Sequence, residues 1–130
     1  MKKILLIVLV IICLGSITAC GSKTSSVKIE GVSDKFASEI GYFVKLMDED
    51  YRNHTSKSLN NNVYNKYIRK YKEDDTLTKK EKEVLELVSW MYVELNGYKF
   101  NLKRGNKDIQ RDCEENFLEF RQQFKDKYGF

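Results

Sequence analysis

The sequence predicts an all-α fold, a small antiparallel bundle of about four helices. Three observations carry that expectation. From residue 33 onward apolar residues recur at three-four spacing, the period of a helix face and not the alternation of a strand. Proline is absent, so nothing forbids long uninterrupted helices. Residues that start and stop helices fall between the periodic stretches, at Ser33, Thr78, Gly105 and Asn106.

The first helix begins at Ser33 as N-cap, with Asp34 placing a negative charge in its first turn. Phe36, Ile40, Phe43, Val44, Met47 and Tyr51 then form one apolar stripe to about Asn53. A second, shorter helix is expected from about Ser58 to Lys72, carrying Leu59, Val63, Tyr64, Tyr67, Ile68 and Tyr71 on one face. Asn60, Asn61 and Asn62 weaken its start. Lys66, Arg69, Lys70 and Lys72 load its other side, the pattern of a solvated face.

Thr78 followed by Glu81 has the spacing of a capping box, which opens the third helix. Val84, Val88, Met91, Leu95, Tyr98 and Leu102 mark its stripe. Leu85, Leu87, Trp90, Tyr92 and Val93 broaden the apolar surface, so this helix is expected at the centre. Asn96-Gly97 between two alternating segments is a competing signal, that of a two-residue β-hairpin. The stripe keeps its phase through the dipeptide, which favours the unbroken helix. Gly105 stops it and Asn106 restarts the chain as the next N-cap. Ile109, Cys113, Phe117, Phe120, Phe124 and Tyr128 carry the last helix, with Cys113 expected to be buried as a small hydrophobe. So short a link makes the last two helices antiparallel neighbours, and the first two pack across them.

Ahead of these helices lies a different kind of sequence. Lys2 and Lys3 precede an aliphatic run over residues 4–14, with Cys13 in it. A spanning helix needs roughly twenty apolar residues, so this shorter run reads as the core of a signal peptide. Ile17-Thr18-Ala19-Cys20 follows after Gly15 and Ser16. This box resembles the lipobox of bacterial lipoprotein precursors: an aliphatic residue, two small residues and a cysteine. The resemblance covers the leader alone. It implies diacylglycerol in thioether linkage on Cys20, cleavage between Ala19 and Cys20, and a protein anchored on the extracytoplasmic face of the cell membrane. Two acyl chains hold a protein stably where one does not. The expected organisation is a signal peptide over 1–19, a lipidated flexible tether over 20–32 and a helical domain over 33–130. A tether of about twelve residues spans roughly 20 Å, which keeps the domain close to the lipid.

Composition limits the functional classes. Hydrophobic residues make up 42% and charged residues 32% of the 130, the balance of a single compact domain once the leader is gone. The formal charge of +4 shrinks when Lys2 and Lys3 leave with the leader, because 21 basic residues then face 19 acidic ones. Such a balance argues against nucleic acid, whose phosphates call for concentrated basic surface. Tyr67, Tyr71 and Tyr98 stand near Lys70 and Lys99, but they share the core spacing. Cys113 is the one thiol left to the domain, so no disulfide can form within it.

Motifs of chemistry are missing. His54 is the sole histidine and no HExxH or CxxC spacing occurs, so neither a metal nor another cofactor is expected. Asp48-Glu49-Asp50 and Asp74-Asp75 lack the glycine and ligand spacing of a calcium loop. There is no GxSxG and no phosphate-cradling glycine loop. The expectation is a non-catalytic interaction module that meets the membrane through Cys20 and an envelope protein through a helix face. Exclusion or immunity factors, which block conjugative transfer or phage entry, share its size, anchor and fold class, an analogy and not a motif match. The alternative is an accessory lipoprotein capturing a small molecule or wall fragment, with a pocket among Trp90, Tyr64 and Tyr98. A hydrolase would need a cleft holding carboxyls of perturbed acidity.

Overall fold

The computed structural model describes residues 28–54, 59 and 61–130. The expected leader, the box with Ala19 and Cys20, and the start of the second helix at Ser58 lie outside them. Among the described residues there are helices and no strand. We number the helices α1 (Asp34–Arg52), α2 (61–72), α3 (Lys79–Arg104) and α4 (Lys107–Tyr128).

The helices run up, down, up and down. Ser33 meets Glu81 at the start of α1 and α3, and Tyr51 meets Tyr98 near the end of α1, so these two helices are parallel. Tyr71 packs edge-on against Phe36 while Tyr67 lies beside Phe43, which sets α2 antiparallel to α1. Among the described residues the α3–α4 pairing is the most extensive. Phe36, Ile40, Phe43, Val44 and Met47 of α1 are buried against Val84, Val88, Met91 and Leu95 of α3 and Phe117 and Phe124 of α4. Ile29 is buried as well, so the chain already packs onto the domain ahead of Ser33.

Gly105 ends α3 in the left-handed region at φ 73°. Its N–H and that of Asn106 both donate to the Asn101 carbonyl, which closes the helix and turns the chain back. The hairpin competing at Asn96-Gly97 is overturned, because α3 continues through both residues. Gly97 has a packing reason to be there. A Cβ at this position would stand 2.7 Å from Cys113 Sγ, so the missing side chain lets α4 approach.

Helix α2 is an α-turn, Asn61–Tyr64, a π-helical stretch, Asn65–Arg69, and a closing turn, Lys70–Lys72. Nothing in the residue pattern signals the π segment. Its wider turn accompanies a face on which Tyr64 stacks on Tyr92 at 4.4 Å, Ile68 is fully buried and Tyr71 reaches Phe36.

The caps differ in detail from the expected pattern. Thr78 and Glu81 form the full capping box. Ser33 and Asn106 occupy the N-cap positions, but neither side chain caps its own helix. Ser33 instead donates from its hydroxyl and its N–H to Glu81 Oε1, at 2.7 and 3.1 Å. Thr78 N–H donates to Oε2 of the same carboxylate at 2.9 Å. One side chain thus ties the starts of α1 and α3 together.

Three residues expected in the core are not there. Trp90, Val93 and Ile109 are about half exposed. The side of α3 bearing Trp90 and Val93 looks outward between α4 and the α2–α3 connection, and none of the described residues covers it. Ile109 sits where α3 and α4 overhang the end of α1, beyond the Tyr51–Tyr98 contact.

Candidate functional site

The residues with chemical potential in the sequence are engaged in holding the bundle together. Asp48 is buried, and Arg121 grips it with two hydrogen bonds, Nε to Oδ1 at 2.5 Å and Nη2 to Oδ2 at 2.8 Å. Asp50 pairs with Lys99, which is fully buried on α3. Asp48 and Asp50 of the acidic run therefore face α4 and α3, while Glu49 between them is exposed. Asp74 accepts from the Thr76 N–H and hydroxyl in the α2–α3 connection. His54 Nδ1 lies 3.3 Å from the Tyr98 hydroxyl. No group of three or more metal-ligating side chains gathers among the described residues.

Electrostatics follow from these contacts. Burial pushes the Tyr51 hydroxyl up, and its 2.6 Å hydrogen bond to Glu114 adds to this, to about 12. Burial and then the neighbouring Glu94 raise the Cys113 thiol. A protonated thiol is a poor nucleophile, and Cys113 is half-buried against Gly97. Burial by itself would raise Glu81 and Glu39, but hydrogen bonds outweigh it and hold both carboxyls below their usual 4.5. Each of these shifts moves a group away from neutral pH, the opposite of what acid–base chemistry needs.

The surface offers something else. Trp90, Val93 and Phe100 are 50%, 52% and 51% exposed on the outer side of α3. With Glu86, Gly97 and Arg104 they lie at four-three-four-three-four spacing, one seam along the helix. Large apolar side chains so placed usually mark contact surface, because solvent exposure of a contiguous apolar patch is unfavourable. Arg104 lies over the Phe100 ring, 4.1 Å from its centre, shielding one face and placing a charge at the end of the seam.

Trp90 is also the ridge between two depressions. On one side, an open groove of about 550 Å³ runs between α3 and the α2–α3 connection, floored by Tyr71, Leu77 and Leu85. Asp74, Asp75, Lys82 and Glu86 line it with charge of both signs. On the other side, Leu87, Lys127 and Tyr128 line a shallower hollow of about 260 Å³ between α3 and α4.

Of the three aromatics expected around a pocket, Trp90 lines both of these depressions and Tyr64 and Tyr98 line neither. Tyr98 is buried in the core beside Tyr51, and Tyr64 is stacked on Tyr92. The apolar count of the sequence misplaced Trp90 at the centre. Its second seam, offset from the core stripe and ending in Glu86 and Arg104, was the signal for an outward face. Against known protein families, curated proteins and solved structures, the chain finds no match.

Proposed function

We propose that the protein is a lipid-anchored, non-catalytic interaction module that binds an envelope protein through the outer face of α3. The observation that carries this reading is the seam of Trp90, Val93 and Phe100, three large apolar side chains each half exposed, the first two of them lining an open groove. Aromatic anchors of this kind supply most of the energy of protein contacts. The lipobox-like Ile17-Thr18-Ala19-Cys20 supports membrane attachment through Cys20. Burial of Ile29 leaves a short reach from Cys20 to the folded domain, at most about 30 Å when fully extended. The biological form we favour is exclusion or immunity against an incoming conjugative element or phage.

The test is acquisition of conjugative elements and phage DNA by a recipient expressing the protein. Lower acquisition, lost in the Trp90→Ala/Phe100→Ala variant and in Cys20→Ser, is the expected result. No change across a broad panel rejects the exclusion form. Cys20→Ser is expected to mislocalise a domain that still folds.

The second reading, capture of a small molecule or wall fragment, draws on the groove, whose 550 Å³ lies within the range of ligand sites. Phe100 is ten residues beyond Trp90, about 15 Å along the helix, and does not line the groove. Phe100→Ala therefore weakens protein contact and spares capture. Leu77→Trp, which fills the groove, does the reverse.

A further inference from the structure

We propose that the seam on α3 is covered by a second copy of the same chain, through antiparallel two-fold pairing of α3 with α3. The inference rests on reading this face as an interaction surface and names its partner. In a two-fold contact, residue i meets j and j meets i, so the surface must be complementary to its own reversal. The seam positions 86, 90, 93, 97, 100 and 104 are symmetric about residue 95. Reversal therefore sets Glu86 opposite Arg104 of the partner subunit, Trp90 opposite Phe100 of the partner subunit, and Val93 opposite Gly97 of the partner subunit.

Each of these pairings is chemically matched. The end charges are opposite in sign, and both Glu86 and Arg104 are exposed. The two aromatic rings meet each other, an arrangement worth more than burial alone. At Gly97 the Cys113 sulfur of α4 takes the place of a side chain, so Val93 of the partner subunit meets that sulfur across the seam. Parallel pairing would instead oppose Glu86 with Glu86 and Arg104 with Arg104. Like charges at both ends reject that register, so charge selects the antiparallel one.

The tether geometry is compatible with this arrangement. The chain joins the domain at the start of α3, where a Cβ on Gly31 would stand 3.8 Å from Lys80 Cγ. Antiparallel pairing sends the two tethers to opposite ends of the seam. Both still reach one membrane when the two-fold axis stands along its normal and the α3 helices lie flat to it. The seam from 86 to 104 is about 27 Å long, short for a free-standing dimer. Confinement to one surface raises the effective concentration of copies, so pairing belongs to the anchored protein.

The experiment uses the full-length chain in membranes, with Cys113→Ser as the baseline background. Differently tagged Trp90→Cys and Phe100→Cys chains are co-expressed and oxidised. The expected result is a disulfide between positions 90 and 100 at least tenfold above the 90–90 and 100–100 pairs. Glu86→Arg in both chains should reduce it at least tenfold, and adding Arg104→Glu to each should restore it. Restoration separates charge pairing from misfolding, and circular dichroism checks the helix content of each variant. Dominant 90–90 and 100–100 products overturn the proposal, as does failure of the charge swap to restore the link. A photo-crosslinker at position 93 distinguishes the two levels of the reading. An adduct with a different envelope protein and none with a second copy overturns self-pairing alone, whereas no protein adduct at all overturns the interaction face itself.

Discussion

Gly97→Ala is the substitution on which the packing of α3 against α4 can be judged most sharply, because two effects of known sign oppose each other there. Alanine in a helix interior is favoured over glycine by about 1 kcal/mol. Against this, the new Cβ would lie 2.7 Å from Cys113 Sγ and 3.6 Å from Cys113 Cβ. The second distance is ordinary contact and the first is not. The sulfur can retreat only by rotating about one bond, away from its hydrogen bond with Glu94, or by moving α4 outward. Overpacking of this kind costs about 1–3 kcal/mol. We expect Gly97→Ala to destabilise the domain by about 1 kcal/mol in the native background. In a Cys113→Ala background the sulfur is gone and only the 3.6 Å contact remains. There the same change should stabilise by up to about 1 kcal/mol, the propensity gain alone.

The assay is equilibrium urea unfolding of the four proteins of this double-mutant cycle, followed by circular dichroism. A coupling of about 2 kcal/mol between positions 97 and 113 is the expected reading, within the range for residues in contact. Equal stabilisation by Gly97→Ala in both backgrounds would refute the reasoning. It would mean that the two helices do not approach at this pair, and that Gly97 has no packing role.

Three further outcomes follow from the buried polar contacts. Asp48→Ala leaves Arg121 without its carboxylate; with Asp48 7% and Arg121 24% exposed, the loss should be about 3 kcal/mol, and urea unfolding showing less than 1 kcal/mol would contradict a structural pair. Glu81 has a folded pKa below 4.5, so its contribution is complete above that pH and is lost as pH falls through the folded value. Thermal melts of the native protein should decline below about pH 4.5, and Glu81→Gln should be less stable at neutral pH with a shallower acid decline. Tyr51, raised to about 12 by burial and by Glu114, favours the protonated folded state, so it supports folding below its unfolded pKa and weakens it as pH rises towards 12. In an ultraviolet titration, Tyr51→Phe should remove one late-ionising phenol, and an unchanged curve would count against the Glu114 contact.

Legibility differed from one element to the next for identifiable reasons. Helix α1 was readable because a single stripe, Phe36 to Met47, is buried on one side and polar residues face water on the other. The capping box was readable because Thr78 and Glu81 act within one turn. The second task of Glu81 was not, since Ser33 stands 48 residues away. The partners Arg121 and Lys99 were equally hidden, because a charged residue inside a helical pattern looks solvated until a distant carboxylate is brought to it. Asn96-Gly97 misled in one direction and Trp90 in the other. The first is a turn signal overridden by helix packing, and the second is an apolar residue that tertiary structure leaves outside.

By itself, the sequence determined what local chemistry determines: helix periods, the Thr78–Glu81 cap, the Gly105 stop, and the expectation of a lipid-bearing Cys20. Tertiary structure alone decided which apolar face of α3 would be core and which would meet solvent. That choice depends on how many helices arrive to cover it. Val84, Val88, Met91 and Leu95 are buried beneath α1 and its neighbours. Four helices leave the seam of Trp90, Val93 and Phe100 bare, and periodicity counts apolar residues without counting the partners available to bury them.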